Sequence, residues 1–153
     1  MPKPSRQQTV LGLDFGMKRI GAAIGQTLTK TASPVAVLKA QNGEPNWDDV
    51  AALIQGWKVE IIVIGVPYNM DGSEQPLTRM TQQFVKKLRA HFRLPIYTID
   101  ERLTTVEARQ QLYDQGKLKK VALVQQVDSY AAKLILEQWL RKKQDEQDHQ
   151  GSS

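Results

Sequence analysis

Three carboxylates from distant parts of the chain, Asp14, Glu101 and Asp128, stand at the heads or ends of apolar stretches. Asp14 interrupts the strongly apolar run TVLGLDFGMKRIGAAIG over residues 9–25. An ionised Asp inside such a run costs several kcal/mol, roughly, unless a cation or hydrogen-bond donors compensate it. Glu101 closes the acid pair that follows PIYTI, and Asp128 opens VDSYAAKLILE. The chain has no Cys, which excludes thiolate chemistry, and only two His, His91 and His149, which disfavours a zinc site of the usual nitrogen and sulfur ligands. Convergent carboxylates without soft ligands suit one or two hard, oxygen-liganded cations, Mg or Mn, whose charge offsets the repulsion between the acids. Two such ions about 4 Å apart stabilise both the attacking and the leaving oxygen of a displacement at phosphorus, so the predicted reaction is phosphodiester hydrolysis. Lys18, Arg19 and Arg102 flank the acids in sequence and are candidates to hold substrate phosphates, Lys as a point charge and Arg as a planar fork. Each assignment has a plainer alternative: a turn hydrogen bond for Asp14, a helix cap for Asp128, a surface charge for each cation.

The acids need elements to hold them. Val10, Leu11, Leu13 and Phe15 read as a strand buried on both faces, with Gly16 releasing the chain into a turn and residues 19–25 returning as a second strand. Residues 31–39 (TASPVAVLK) predict a third, more peripheral strand, because Pro34 is tolerated mainly at edges or strand starts. A loop over 41–45 leads to a helix capped by Asn46, with Val50, Leu53, Ile54 and Trp57 on one face. IIVIGV (61–66) has the composition of a parallel strand covered on both sides. After Pro67 and the loop YNMDGS, Ser73 is a candidate cap for a helix with the stripe Leu77, Met80, Phe84, Leu88 and Phe92. PIYTID (95–100) is the fifth strand. Strand alternation points Asp100 away from Glu101. Thr104 and Glu107 form a capping-box pattern for a helix stopped by Gly116, and residues 117–126 are ambiguous. In the last helix, from about Asp128 to Lys143, Ala132, Ile135 and Trp139 lie four, seven and eleven residues beyond Asp128 and share its inward phase. The sum is an α/β fold with a five-stranded mixed sheet, three antiparallel strands then two parallel, flanked by helices. Sites in such sheets form beyond the carboxyl ends of the parallel strands.

With 153 residues and 41% hydrophobic content the chain fits one domain: a flexible 1–8, a folded 9–143 and a polar, disordered 144–153. Lys and Arg total 21 against 16 Asp and Glu, a net charge of +5 that suits a polyanionic partner. No signal-peptide core or membrane-length apolar run is present, which predicts a cytoplasmic protein with no membrane partner.

LDFGMKRIG, IGVPYNMDGSEQP, IDERLTTVEA and VDSYAAKLILE resemble the four signature blocks of the YqgF-type pre-16S rRNA nucleases, a Holliday-junction-resolvase-like branch of the RNase H superfamily. The resemblance covers residues 9–140. It implies an RNase H-like fold, metal-dependent cleavage and maturation of the 5′ end of precursor 16S ribosomal RNA, with ribosomal particles as partners and a monomer or weak homodimer as the working form. It places the family's acids on Asp14, Glu101 and Asp128. Junction resolvases of this fold carry four acids against these three, so cleavage of branched DNA is the first alternative. A non-catalytic RNA-binding assembly factor is the second. An actin-like ATPase shares the strand-Asp-x-Gly opening, but needs two domains around its nucleotide.

Overall fold

The computed structural model describes residues 6–101 and 129–143. Arg102, Asp128, the helix expected over 104–116, the ambiguous segment 117–126 and the tail 144–153 lie outside the described residues. Six strands form one sheet: β1 (Thr9–Asp14), β2 (Arg19–Gln26), β3 (Thr31–Gln41), β4 (Glu44–Pro45), β5 (Ile61–Val66) and β6 (Ile96–Asp100), in the order β4-β3-β2-β1-β5-β6. β1 pairs antiparallel with β2 and parallel with β5, and β5 pairs parallel with β6. The sheet thus changes from antiparallel to parallel at β1, the strand that carries Asp14. Val10, Leu11 and Leu13 are fully buried, as a strand apolar on both faces requires.

The sixth strand corrects the expected count of five. Residues 41–45, expected as a loop, are a tight hairpin in which Gln41 pairs with Glu44. Asn42 and Gly43 form its two-residue turn, with φ of 53° and 79°. Both central residues of this turn type need positive φ, which Asn and Gly adopt at least cost. β4 covers only Ala40 and Gln41 of β3. Pro34, opposite Ala23 on β2, therefore lies where β3 has no second strand neighbour among the described residues, as its missing N–H demands.

Helix α1 (Trp47–Trp57) starts at Asn46, whose side chain accepts from Asp48 N–H at 2.9 Å. It ends where Lys58 takes a left-handed conformation, leaving Trp57, expected on the packed face, 48% exposed. Helix α2 (Pro76–His91) is capped by Gln75 rather than Ser73, in a capping box with Thr78 and with Pro76 in its first turn. Ser73 instead bonds the Asp71 carboxylate through its N–H (2.9 Å) and hydroxyl (2.6 Å). α1 and α2 cover one side of the sheet, where Val50, Phe84 and Leu88 meet Leu11, Leu13, Ile62 and Ile64. Aromatic rings extend this layer: Phe84 lies 4.9 Å from Phe15 and 5.8 Å from Trp47, which stacks on His91 at 4.0 Å. Glu44 ties β4 to both helices by accepting from Trp47 Nε1 and Lys87 Nζ.

A third helical stretch, α3 (129–143), covers the other side. Ala132, Ile135 and Trp139 are buried there with Leu136 against Val10, Ala23, Val63 and Ile99, the phase expected from their spacing. α3 approaches the sheet closely because three strands present glycine to it. A methyl group at Gly12 would lie 3.0 Å from Leu136 Cβ, one at Gly25 2.9 Å from both Leu136 Cδ2 and the Thr31 carbonyl, and one at Gly65 2.5 Å from Ile135 Cδ1. Gly25→Ala is expected to lower stability by about 1–3 kcal/mol through overpacking. Gly56→Ala, on α1 with nothing within 4 Å of the added methyl, should be neutral to stabilising by up to about 1 kcal/mol. Urea unfolding of the two variants checks the contrast.

Candidate active site

β1 and β6 end at the same edge of the sheet with β5 between them. Asp14, the half-buried last residue of β1, pairs with Gly21 on β2 and with Gly65 on β5. Alternation fixes its direction: Val10 and Gly12 meet α3, so Asp14 projects to the α3 side. Glu101 follows β6, held by its N–H to the Val66 carbonyl at 3.2 Å, and is only 5% exposed. It continues the row of Tyr97 and Ile99 on that same side, where Tyr97 meets Trp139 and Ile99 joins the α3 layer. A methyl at Gly65 would lie 2.7 Å from Glu101 Oε2. The Glu101 carboxylate thus leans over the very residue that pairs with Asp14, and the two acids share one side of the sheet across a position with no side chain. Burial of a carboxylate to this degree is costly without compensating charge or hydrogen bonds.

Asp100 pairs with Val66 and alternates to the opposite side, so it does not join them. Arg19 opens β2 and is half-buried; two residues beyond Gly21, it extends the Asp14 side of the sheet past the end of β1. Lys18 is exposed in the turn, its carbonyl accepting from Ala40 N–H at 2.8 Å. That turn folds tightly: a methyl at Gly16 would stand 2.4 Å from the Arg19 carbonyl oxygen. The loop after β5 leaves the same edge. Asn69 organises it, donating its side-chain amide to Ser73 Oγ (2.9 Å) and the Glu74 carbonyl (3.3 Å), while Thr78 Oγ1 donates to the Pro67 carbonyl.

Among the described residues no three Asp, Glu or His side chains gather closely enough to hold a metal; Asp128 and Arg102 are outside them. Gly65 is the site residue that the sequence reading passed over. Its signal was present, since a lone glycine among Ile and Val in a buried strand marks a close approach. Also among the described residues, no helix is long and apolar enough to cross a membrane.

Two solved structures share this fold. Thermus thermophilus RuvC in complex with a Holliday junction substrate matches with a TM-score of 0.54 at 15% identity, over 90% of this chain and 96% of that one. The fowlpox virus resolvase bound to junction DNA matches with a TM-score of 0.50 at 14% identity, over 87% and 99%. The architecture is that of the RuvC-like, RNase H-fold resolvases. Residues 8–142 match the family model described as RuvX, Holliday junction resolvase, and the chain belongs to that family of nucleases. A relative from Coxiella burnetii (strain Dugway 5J108-111), named "Putative pre-16S rRNA nuclease", is 52% identical over 94% of this chain and 99% of its own. Relatives of the same name from Pseudoalteromonas translucida (strain TAC 125) and Shewanella denitrificans (strain OS217) are 46% and 45% identical.

Gly65→Ala should displace the Glu101 carboxylate and cut nuclease kcat/KM by at least about tenfold, since sub-ångström placement governs such sites. The accompanying loss of stability should be no worse than that of Gly25→Ala. Cleavage rates and urea melts of the two variants, measured side by side, test whether Gly65 serves the site beyond its packing role.

Proposed function

We propose that this nuclease matures the 5′ end of precursor 16S ribosomal RNA in the cytoplasm, using Asp14, Glu101 and Asp128 to hold one or two divalent cations, Mg or Mn. The observation that carries the reading is the placement of Asp14 and Glu101 on one side of the sheet, with Gly65 between them. The donor set fits: carboxylate oxygens suit these ions, and two acids on one side of the sheet, Glu101 buried and Asp14 half-buried, favour a bound cation. When bound, such ions lower the pKa of an attacking water and stabilise charge on the leaving oxygen. Asp128 immediately precedes α3 and shares the helical phase of Ala132, Ile135 and Trp139, which supports it as the third acid. Lys18 and Arg19, in the turn and strand next to Asp14, orient the phosphate backbone, with Arg102 beside Glu101 in the same role. The names of the relatives support precursor rRNA, carried in ribosomal particles, as the substrate.

Cleavage of precursor rRNA should require Mg or Mn, stop with chelator, and fall at least about a hundredfold in Asp14→Asn, whose neutral amide cannot hold the ion. Full cleavage by a contaminant-free Asp14→Asn preparation would end the assignment. A four-way DNA junction run in parallel separates the RNA reading from junction resolution.

Asp128→Asn keeps helix-capping ability but removes one charge from the acid cluster. Metal-free stability should rise by about 1 kcal/mol, and Mg should stabilise the variant less than the wild type. Equal stabilisation of both by Mg in thermal melts would make Asp128 a cap alone.

Replacing Lys18 and Arg19 with Gln should flatten the slope of log affinity against log salt by roughly 1–2, with little effect on sequence preference. An unchanged slope in binding titrations would remove both residues from the phosphate contacts.

A further inference from the structure

The outer edge of the sheet carries a feature that the acids do not use. Tyr97 sits on β6, the edge strand among the described residues, and is 47% exposed, although its ring packs 5.6 Å from Trp139 at an angle of 35°. Trp139 is itself buried, and Lys143 Nζ stands 5.0 Å from the centre of its ring. Tyr97, Thr98, Ile99, Trp139, Lys142 and Lys143 line a cleft of about 350 Å³, within the usual range for small-ligand sites. Residues 140–143, at the end of the described part of α3, include three cations and no acid. Basic side chains on a helix surface are ordinary, but that does not explain a tyrosine ring left half in water beside them. A half-exposed aromatic ring packed on a buried tryptophan, in a cleft lined by two lysines, suits an unpaired nucleotide. The base stacks on the ring and the cations meet its phosphates.

We propose that Tyr97, backed by Trp139 and flanked by Lys142 and Lys143, is a second nucleic-acid contact that stacks one base of an unpaired strand. Resting on the nuclease reading above, it would set the substrate class: RNA with a single-stranded segment beside the cleavage point. Tyr97 lies four residues before Glu101 on the same side of the sheet, which at the rise of a strand separates them by about 13 Å. A strand lying along the edge of β6 would therefore meet the ring a few nucleotides from the acids. The contact recognises a π face and a phosphate, so it tolerates any base.

The test is equilibrium binding of a labelled single-stranded RNA and of a blunt duplex, in chelator so that nothing is cleaved. Tyr97→Ala should weaken single-strand binding roughly tenfold and duplex binding less than about twofold, while Tyr97→Phe should match the wild type on both. A double Lys142→Gln, Lys143→Gln variant should flatten the single-strand salt slope by about 1.4. Wild-type affinity in Tyr97→Ala, equal loss on strand and duplex, or an unchanged slope in the lysine variant would each overturn the proposal. Cleavage assays with Mn on the same preparations separate the two readings. Should the wild type cleave nothing while the Tyr97 pattern appears, the contact stands and the catalytic assignment falls. Should the wild type cleave while Tyr97→Ala binds single strands normally, the contact falls and the catalytic assignment stands.

Discussion

The structure depends on how closely α3 can approach the sheet. A helix normally rests on strand side chains; here Leu136 meets Gly12 and Gly25, and Ile135 meets Gly65, so the helix sinks into a seam that runs across three strands. The close fit brings many atoms into dispersion contact and leaves Ala132, Ile135 and Leu136 fully buried. It also sets the depth of everything at the carboxyl edge. Had β5 carried valine at position 65, the helix would have to stand off and the Glu101 side chain would meet that valine rather than lean over bare backbone.

The same glycine therefore answers two demands, one of packing and one of chemistry. On one side of β5, Ile62 and Ile64 build an ordinary apolar layer against α2. On the other side, the strand gives up its side chain at the point where Asp14 pairs with it and Glu101 crosses it. Bringing two like charges together is unfavourable in any fold. In the function proposed above, that cost is met by the cations the two carboxylates would hold.

Much of this was legible in the sequence, and unevenly so for physical reasons. Unbroken apolar runs disclosed β1 and β5, because strands buried on both faces leave no room for polar alternation. The inward phase of α3 followed from the spacing of Ala132, Ile135 and Trp139. The hairpin at Asn42 and Gly43 was written as plainly, yet a strand of two residues has no periodicity to read, and the turn passed for a loop. At α2, Ser73 and Gln75 compete as caps. Serine is the commoner choice, but Asp71, two residues before it, claims it first in a local turn that cap preference alone does not weigh. Trp57 misled for the same kind of reason: helical phase gives a direction, not whether the helix ends before its partner surface does. For the candidate site, Asp14 announced itself by its surroundings. That Glu101 faces the same way needs the register of three strands, which no single stretch of sequence contains.

That register also orders events in time. Asp14 belongs to the first strand, Gly65 to the fifth, and the helix that seals their side of the sheet spans residues 129–143. A chain that ended after β6 would leave Val10, Ala23, Val63 and Ile99 open to water, without the Ala132, Ile135 and Leu136 that cover them. Such long-range closure comes late, since its entropy cost precedes its reward. The side of the sheet on which Asp14 and Glu101 lie is therefore expected to close only after residues 129–143 have joined it, long after β1 has formed.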